Sequence, residues 1–191
     1  MEIMEGAIRL ASELGIRTIQ LAGYDVYYET GDGDTRRWFE ENLRAAVDRS
    51  AAMGVVLGFE TMETALMNTV GKAMEYVNRI NSPYLGVYPD LGNITNAALD
   101  AGTSVQEDLR SGSGHLVAMH LKETRPGIFR EVPFGTGHVD FEAGIATAWG
   151  LGVRRYVTEM WYTGSDAWRE DIARANRTMS AILNRQEGNC L

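Results

Sequence analysis

A partial (β/α)8 TIM barrel, α/β in class with five parallel strands and outer helices, is the fold this sequence predicts, and three observations predict it. Helix-like and strand-like periodicities alternate as α-β-α-β-α-β-α-β-α-β-α, an order that implies right-handed parallel crossovers. Four successive strand candidates deliver an acid or a histidine at their C-terminal ends, where barrels of this type keep their chemistry. The turn after the first strand, Leu21-Ala22-Gly23-Tyr24-Asp25, lacks the glycine pattern that an open nucleotide-binding sheet requires. A full barrel has eight strands and typically ~250 residues. The 191 residues here therefore read as one domain, 1–191, holding the last five βα units and missing three from the N-terminus.

In chain order, Ile3, Ala7, Ile8, Ala11 and Leu14 recur at helical spacing, with Gly15 placed to end the helix. Ile16 to Gly23 reads as a strand. A loop from Tyr24 to Asp34 follows, anchored by Tyr24, Val26, Tyr27 and Tyr28. Asp34 or Thr35 is placed to cap a helix whose inward stripe is Phe39, Leu43, Ala46, Val47 and Met53. The strand Val55 to Glu60 leads to a helix with Leu66, Val70, Ala73, Val77 and Ile80 inward, broken at Ser82-Pro83. Leu85 to Asp90 is the next strand, and Leu91-Gly92-Asn93 reads as a loop. A short helix carrying Val105 and Leu109 precedes the strand Leu116 to Glu123. A long loop with Arg125 and Arg130 ends at a helix capped by Asp140, with Phe141, Ile145 and Trp149 inward. The last strand is Arg154 to Glu159. The last helix starts near Trp168 with Ile172, Ala175, Met179 and Ile182 inward, and 186–191 reads as a frayed tail.

Composition narrows the function. Hydrophobic residues make up 45% and charged residues 23% of the chain, ordinary values for a soluble globular protein. A net charge of −8 speaks against a nucleic-acid partner, which is met by a basic patch. No apolar run approaches the ~18 residues of a membrane span, and no signal peptide precedes the first helix. The single cysteine, Cys190, cannot form an internal disulfide, so a reducing, cytoplasmic setting is expected.

The stretch Leu116 to Glu123 organises the chemistry. Alternation puts Ala118, His120 and Lys122 on one face and Val117, Met119 and Leu121 on the other. With Glu60, Asp90 and Glu159 ending the neighbouring strands, His120 completes three carboxylates and an imidazole, a set suited to Mn²⁺, Mg²⁺ or Zn²⁺. One acid at one strand end is more often a solvated or ion-paired side chain. Four in one register on consecutive strands is a metal-site constellation. Lys122, one pleat beyond His120, is placed to bind an anion or to pair with Asp90 or Glu123. His115 lies at the opposite end of the strand, and His138 reads as a helix-entry residue. Arg125, Arg130 and the Thr163-Gly164-Ser165 turn are alternative anion contacts or ordinary loop residues.

The stretches IQLAGYDVYYE, GFETMET, YPDLGN, MHLKETRPGIFREVPFGTGHVDF and TEMW closely resemble the L-ribulose-5-phosphate 3-epimerase (L-xylulose-5-phosphate 3-epimerase) family, xylose-isomerase-like TIM barrels used in L-ascorbate and related pentose catabolism. The resemblance runs from Ile3 to about Ile182. It implies a divalent metal held by Glu60, Asp90, His120 and Glu159, and a small-molecule sugar phosphate as substrate. Related ketose epimerases carry a histidine three residues after the aspartate, where this chain has Asn93. The implied reaction interconverts L-xylulose 5-phosphate and L-ribulose 5-phosphate through a cis-enediolate, with Glu60 and Glu159 moving the C3 proton on opposite faces. Gln20 and Lys122 would hold substrate hydroxyls or the enediolate, and Arg125 the substrate's polar end. The competing readings are an inactive metal-binding fragment, another ketose epimerase or isomerase of the superfamily, and a nuclease on the same barrel type, which would want more histidines. Open strand edges would expose the chain to aggregation, with pairing into a homodimer as one remedy.

Overall fold

The computed structural model describes residues 1–27 and 29–188; Tyr28 and Cys190 lie outside the described residues. Helices and strands alternate as α1 (Glu2–Glu13), β1 (Thr18–Ala22), α2 (Gly33–Ala52), β2 (Val56–Glu60), α3 (Val70–Ile80), β3 (Leu85–Tyr88), α4 (Leu91–Ala101), α5 (Val105–Ser111), β4 (Met119–Lys122), α6 (Phe141–Gly150), β5 (Tyr156–Glu159) and α7 (Trp168–Gly188). All strand pairs are parallel. β1, β2 and β3 form one ladder and β4 and β5 another. Single parallel bridges, Val87 with Leu116 and Asp90 with His120, join the two. The result is a five-stranded arc in chain order, five strands of a barrel wall.

Register brings the strand ends together. Ala22 lies level with Glu60, and Glu60 level with Tyr88. Asp90 lies level with His120, and Lys122 level with Glu159. Each pairing from β2 to β5 steps two residues further along the strand. Side chains of equal parity therefore stay on one face while climbing toward the C-terminal rim.

The outer face carries the core. Phe59 and Leu57 of β2 point at the helices, and Phe39, Phe59 and Tyr76 pack ring against ring at centroid distances of 5.4–6.0 Å, pinning α2 and α3 to the sheet. The inner face is packed tightly beneath the rim. A Cβ on Gly58 or Gly86 would come within 2.6 Å of a Val117 methyl. Val117 therefore fills the space above two glycines, on the face the alternation assigned to Ala118 and His120. Regular β4 starts only at Met119, so the alternation breaks between Val117 and Met119. Toward the sheet's ends the inner face is open. Val157 is half-exposed, and Arg155 of one flank reaches Thr18 of the other, donating to its hydroxyl at 3.2 Å.

Several elements differ from the sequence reading. Leu91-Gly92-Asn93 is the first turn of α4, with Asp90 as its N-cap. Asp32, with Thr35 in a reciprocal capping box, starts α2 ahead of the expected Asp34 or Thr35 cap. Leu66 precedes α3, whose N-cap is Thr69, and Met67 is the buried residue of that turn. In α1 the buried residues are Ile8 and Ala11, while Ile3 and Leu14 are exposed. Ile172 of α7 is also exposed, and helix continues through Gly188 where a frayed tail was expected.

Candidate metal centre

Glu60 ends β2, Asp90 follows β3 as the N-cap of α4, His120 lies in β4 and Glu159 ends β5. One ligating atom from each of these four lies within 4.8 Å of every other. His120 Nδ1 is the hub, 2.8 Å from Glu60 Oε1, 3.0 Å from Glu159 Oε2 and 4.0 Å from Asp90 Oδ2. The Tyr88 and His120 rings pack edge to face at 4.7 Å between centroids. That contact was legible in principle, because Tyr88 stands two residues before Asp90 and so shares its strand face.

Lys122 is buried beside the acids, its Nζ 3.3 Å from Asp90 Oδ2 and 3.6 Å from Glu159 Oε1. It takes the Asp90 pairing weighed from sequence. Its other weighed partner, Glu123, turns away and accepts from the backbone N–H of Thr124, Gly135 and Val139, fastening the 124–139 loop. Gln20 donates its amide to Glu60 Oε2. Arg125 is exposed and forks onto the Thr136 carbonyl and hydroxyl at 3.0 and 2.9 Å, a position on the loop with no contact to the four. Arg130 binds Glu63 at 2.7 Å and lies over the Trp161 ring, and Glu63 also accepts from the Tyr24 hydroxyl. The Trp161 indole N–H in turn donates to Glu159 Oε1 at 3.3 Å; of these four, only Arg130 stood out in the sequence as a possible anion contact.

The electrostatics are those of a crowded anionic site balanced by two cations. Burial pushes the Asp90 carboxyl up to about 7, with Lys122 opposing and the Glu159 charge adding to the rise. Burial would lower His120, but its contacts with Glu159 and Glu60 outweigh it and raise the imidazole to about 9. Burial would raise Glu159, yet His120 and Lys122 hold it down at about 2. Asp90 Oδ2 is buried and makes no hydrogen bond, although buried acceptors are normally satisfied. Together with Glu159 Oε2 and the His120 nitrogen 3.0 Å from it, it forms a donor set that fits a hard divalent cation.

Residues 1–178 match the sequence pattern of the xylose isomerase-like TIM barrel family. The chain is 42% identical over 184 residues to the L-ribulose-5-phosphate 3-epimerase UlaE of Salmonella paratyphi C (strain RKS4594), a match covering 96% of this chain and 63% of that protein. The chain thus spans about 63% of the length of the curated relatives it matches. Among solved structures, a D-tagatose 3-epimerase-like protein superposes with a TM-score of 0.80 at 15% identity, covering 98% of this chain and 69% of the other. The IOLI protein with a bound zinc atom superposes at 0.78 and 19% identity, covering 97% and 69%. At these identities the structures speak for the fold.

Proposed function

This chain belongs to the xylose isomerase-like TIM barrel family, and on that footing we propose that its site epimerises a ketose phosphate at C3, with L-ribulose 5-phosphate and L-xylulose 5-phosphate as the pair. The observation that carries the reading is the convergence of Glu60, Asp90, His120 and Glu159, from the C-terminal strand ends of four βα units, onto one point. The likeness to UlaE supports the choice of sugar phosphate. Glu60, Asp90, His120 and Glu159 would hold a divalent cation. That cation would supply Lewis-acid polarisation of the substrate's carbonyl and neighbouring hydroxyl oxygens.

The remaining chemistry belongs to side chains. A hydrogen on a carbon next to a ketone is acidic enough for a positioned carboxylate to remove it. Inverting that carbon requires a second carboxylate on the opposite face. Glu60 and Glu159 both reach His120 Nδ1, at 2.8 and 3.0 Å. One, ionised, takes the C3 proton, and the other, starting protonated, delivers its own proton to the opposite face, so the two end with their protonation states exchanged. Gln20 fixes the orientation of Glu60 through its amide. His120 at 3.0 Å and Lys122 at 3.6 Å keep the Glu159 carboxylate ionised and able to accept a proton. The Lys122 ammonium is also placed to meet negative charge growing on the substrate's oxygens.

Incubation with L-ribulose 5-phosphate and Mn²⁺ in D₂O, followed by NMR, tests this. Deuterium should enter at C3 and the L-xylulose epimer should accumulate, with the unphosphorylated ketose reacting more slowly. Mn²⁺ binding by the folded protein without exchange at C3 would identify a metal-binding module and overturn the epimerase reading.

A further inference from the structure

Asp90 splits its carboxylate between two tasks. Oδ1 accepts from the backbone N–H of Asn93 at 2.7 Å and so caps α4. Oδ2 points into the cluster, with Lys122 at 3.3 Å and His120 at 4.0 Å but no hydrogen bond of its own.

Two residues outside the cluster tie down the backbone that carries this carboxylate. The Asp90 backbone N–H donates to Thr61 Oγ1 at 2.9 Å, and Asn93 Nδ2 donates to the Thr61 carbonyl at 2.7 Å. With the Asn93 N–H on Asp90 Oδ1, these bonds close a ring through Thr61, Asp90 and Asn93, each of them fully buried. The ring ties the loop after β2 to the first turn of α4. From the other side, the Thr124 hydroxyl donates to the Gly92 carbonyl at 3.2 Å. A Cβ on Gly92 would stand 2.6 Å from the Lys122 carbonyl oxygen, so α4 is seated hard against the end of β4. Asn93 keeps this arrangement although its Oδ1 is left buried without a hydrogen bond. A position serving packing alone would avoid that cost with an apolar side chain.

We infer that Thr61 and Asn93 are positioning residues of the metal centre: their buried ring of hydrogen bonds holds Asp90 with Oδ1 on α4 and Oδ2 turned toward a divalent cation. Neither touches the four ligating atoms; both act through Asp90. The inference rests on the metal-site reading above. Groups that orient metal ligands typically change affinity 10–100-fold when removed.

The experiment is isothermal titration of the metal-free protein with Mn²⁺, with melting temperature recorded for each variant. Thr61→Val and Asn93→Ala should each bind Mn²⁺ roughly 10–100-fold more weakly, and Thr61→Ser, which keeps the hydroxyl, should bind as the parent chain does. Asp108→Ala supplies the control for stability alone, because Asp108 caps α3 far along the chain; it should melt earlier with unchanged affinity. If Thr61→Val does not fold, Asn93→Ala carries the comparison. Unchanged affinity in the folded variants overturns the inference, as does an equal loss in Asp108→Ala. Failure of the parent chain to bind Mn²⁺ would instead remove the metal reading beneath it.

Discussion

His120 lies between two carboxylates, and its raised value of about 9 means it carries a proton at neutral pH in the metal-free site. A folded-state value above the ordinary 6.5 gives a contribution to stability that is complete below pH 6.5 and is lost as pH rises through about 9. Asp90, raised from 3.8 to about 7, loses its contribution in the same direction but lower, between those values. Ligation needs the neutral imidazole, so protons compete with a cation in the upper window. The metal-free protein should therefore melt at a lower temperature at about pH 8.5 than at about pH 6.5, while the rise produced by Mn²⁺ grows. Flat profiles for both would exclude His120 as the titrating hub. Glu159 offers the chemical counterpart. With Glu159→Gln the fold should persist, and deuterium exchange at C3 should slow by roughly 10²–10⁴-fold; turnover at the parent rate would take Glu159 out of the proton transfer.

Helix starts are where side chains reach across elements. Asp108 of α5 accepts from the first N–H groups of α3, Val70 at 2.9 Å and Gly71 at 3.0 Å. Those donors lack partners within their own helix. Asp108→Ala should cost about 1–2 kcal/mol, lowering the melting temperature by roughly 2–8 °C; no change would show that Thr69 and solvent suffice. Such long-range caps explain what the sequence could and could not tell. The strands were legible because their apolar rows alternate and each ends in a polar residue, so Glu60, Asp90, His120 and Glu159 could be put in one register. The first turn of α4 was not. Leu91-Gly92-Asn93 has weak helix propensity, and it is held as helix by Asp90 and by contacts from Thr61 and Thr124 that no local pattern records. The stripe on α1 was misplaced because Ile3, Leu10 and Leu14 form a second apolar row beside Ile8 and Ala11, and sequence does not say which row meets the sheet. The break before Met119 was likewise hidden, because Val117 takes its place from the glycines across the arc, Gly58 and Gly86.

At the scale of the whole molecule, the arc consists of two ladders joined by single bridges at Val87–Leu116 and Asp90–His120. The candidate ligands divide evenly across that seam. Glu60 and Asp90 come from the β1–β3 side, and His120 and Glu159 from the β4–β5 side. A cation held by all four would staple the two ladders, just where backbone pairing is thinnest, and would relieve the repulsion among three clustered carboxylates. Ligand binding stabilises by mass action, about 2.7 kcal/mol at a hundredfold excess over Kd. For a chain of this size that corresponds to a rise in melting temperature of roughly 5–11 °C. The location of the effect distinguishes a staple from general stabilisation. In hydrogen exchange on the metal-free protein, β4 and β5 should open more readily than β2, whose two faces and both edges are covered. Mn²⁺ should then raise protection most in β4, β5 and the start of α4, with little change in α2 and α3. Uniform protection over all elements, or a melting temperature that does not respond to Mn²⁺, would mean that no cation bridges the seam and that Lys122 and the His120 proton alone balance the acids.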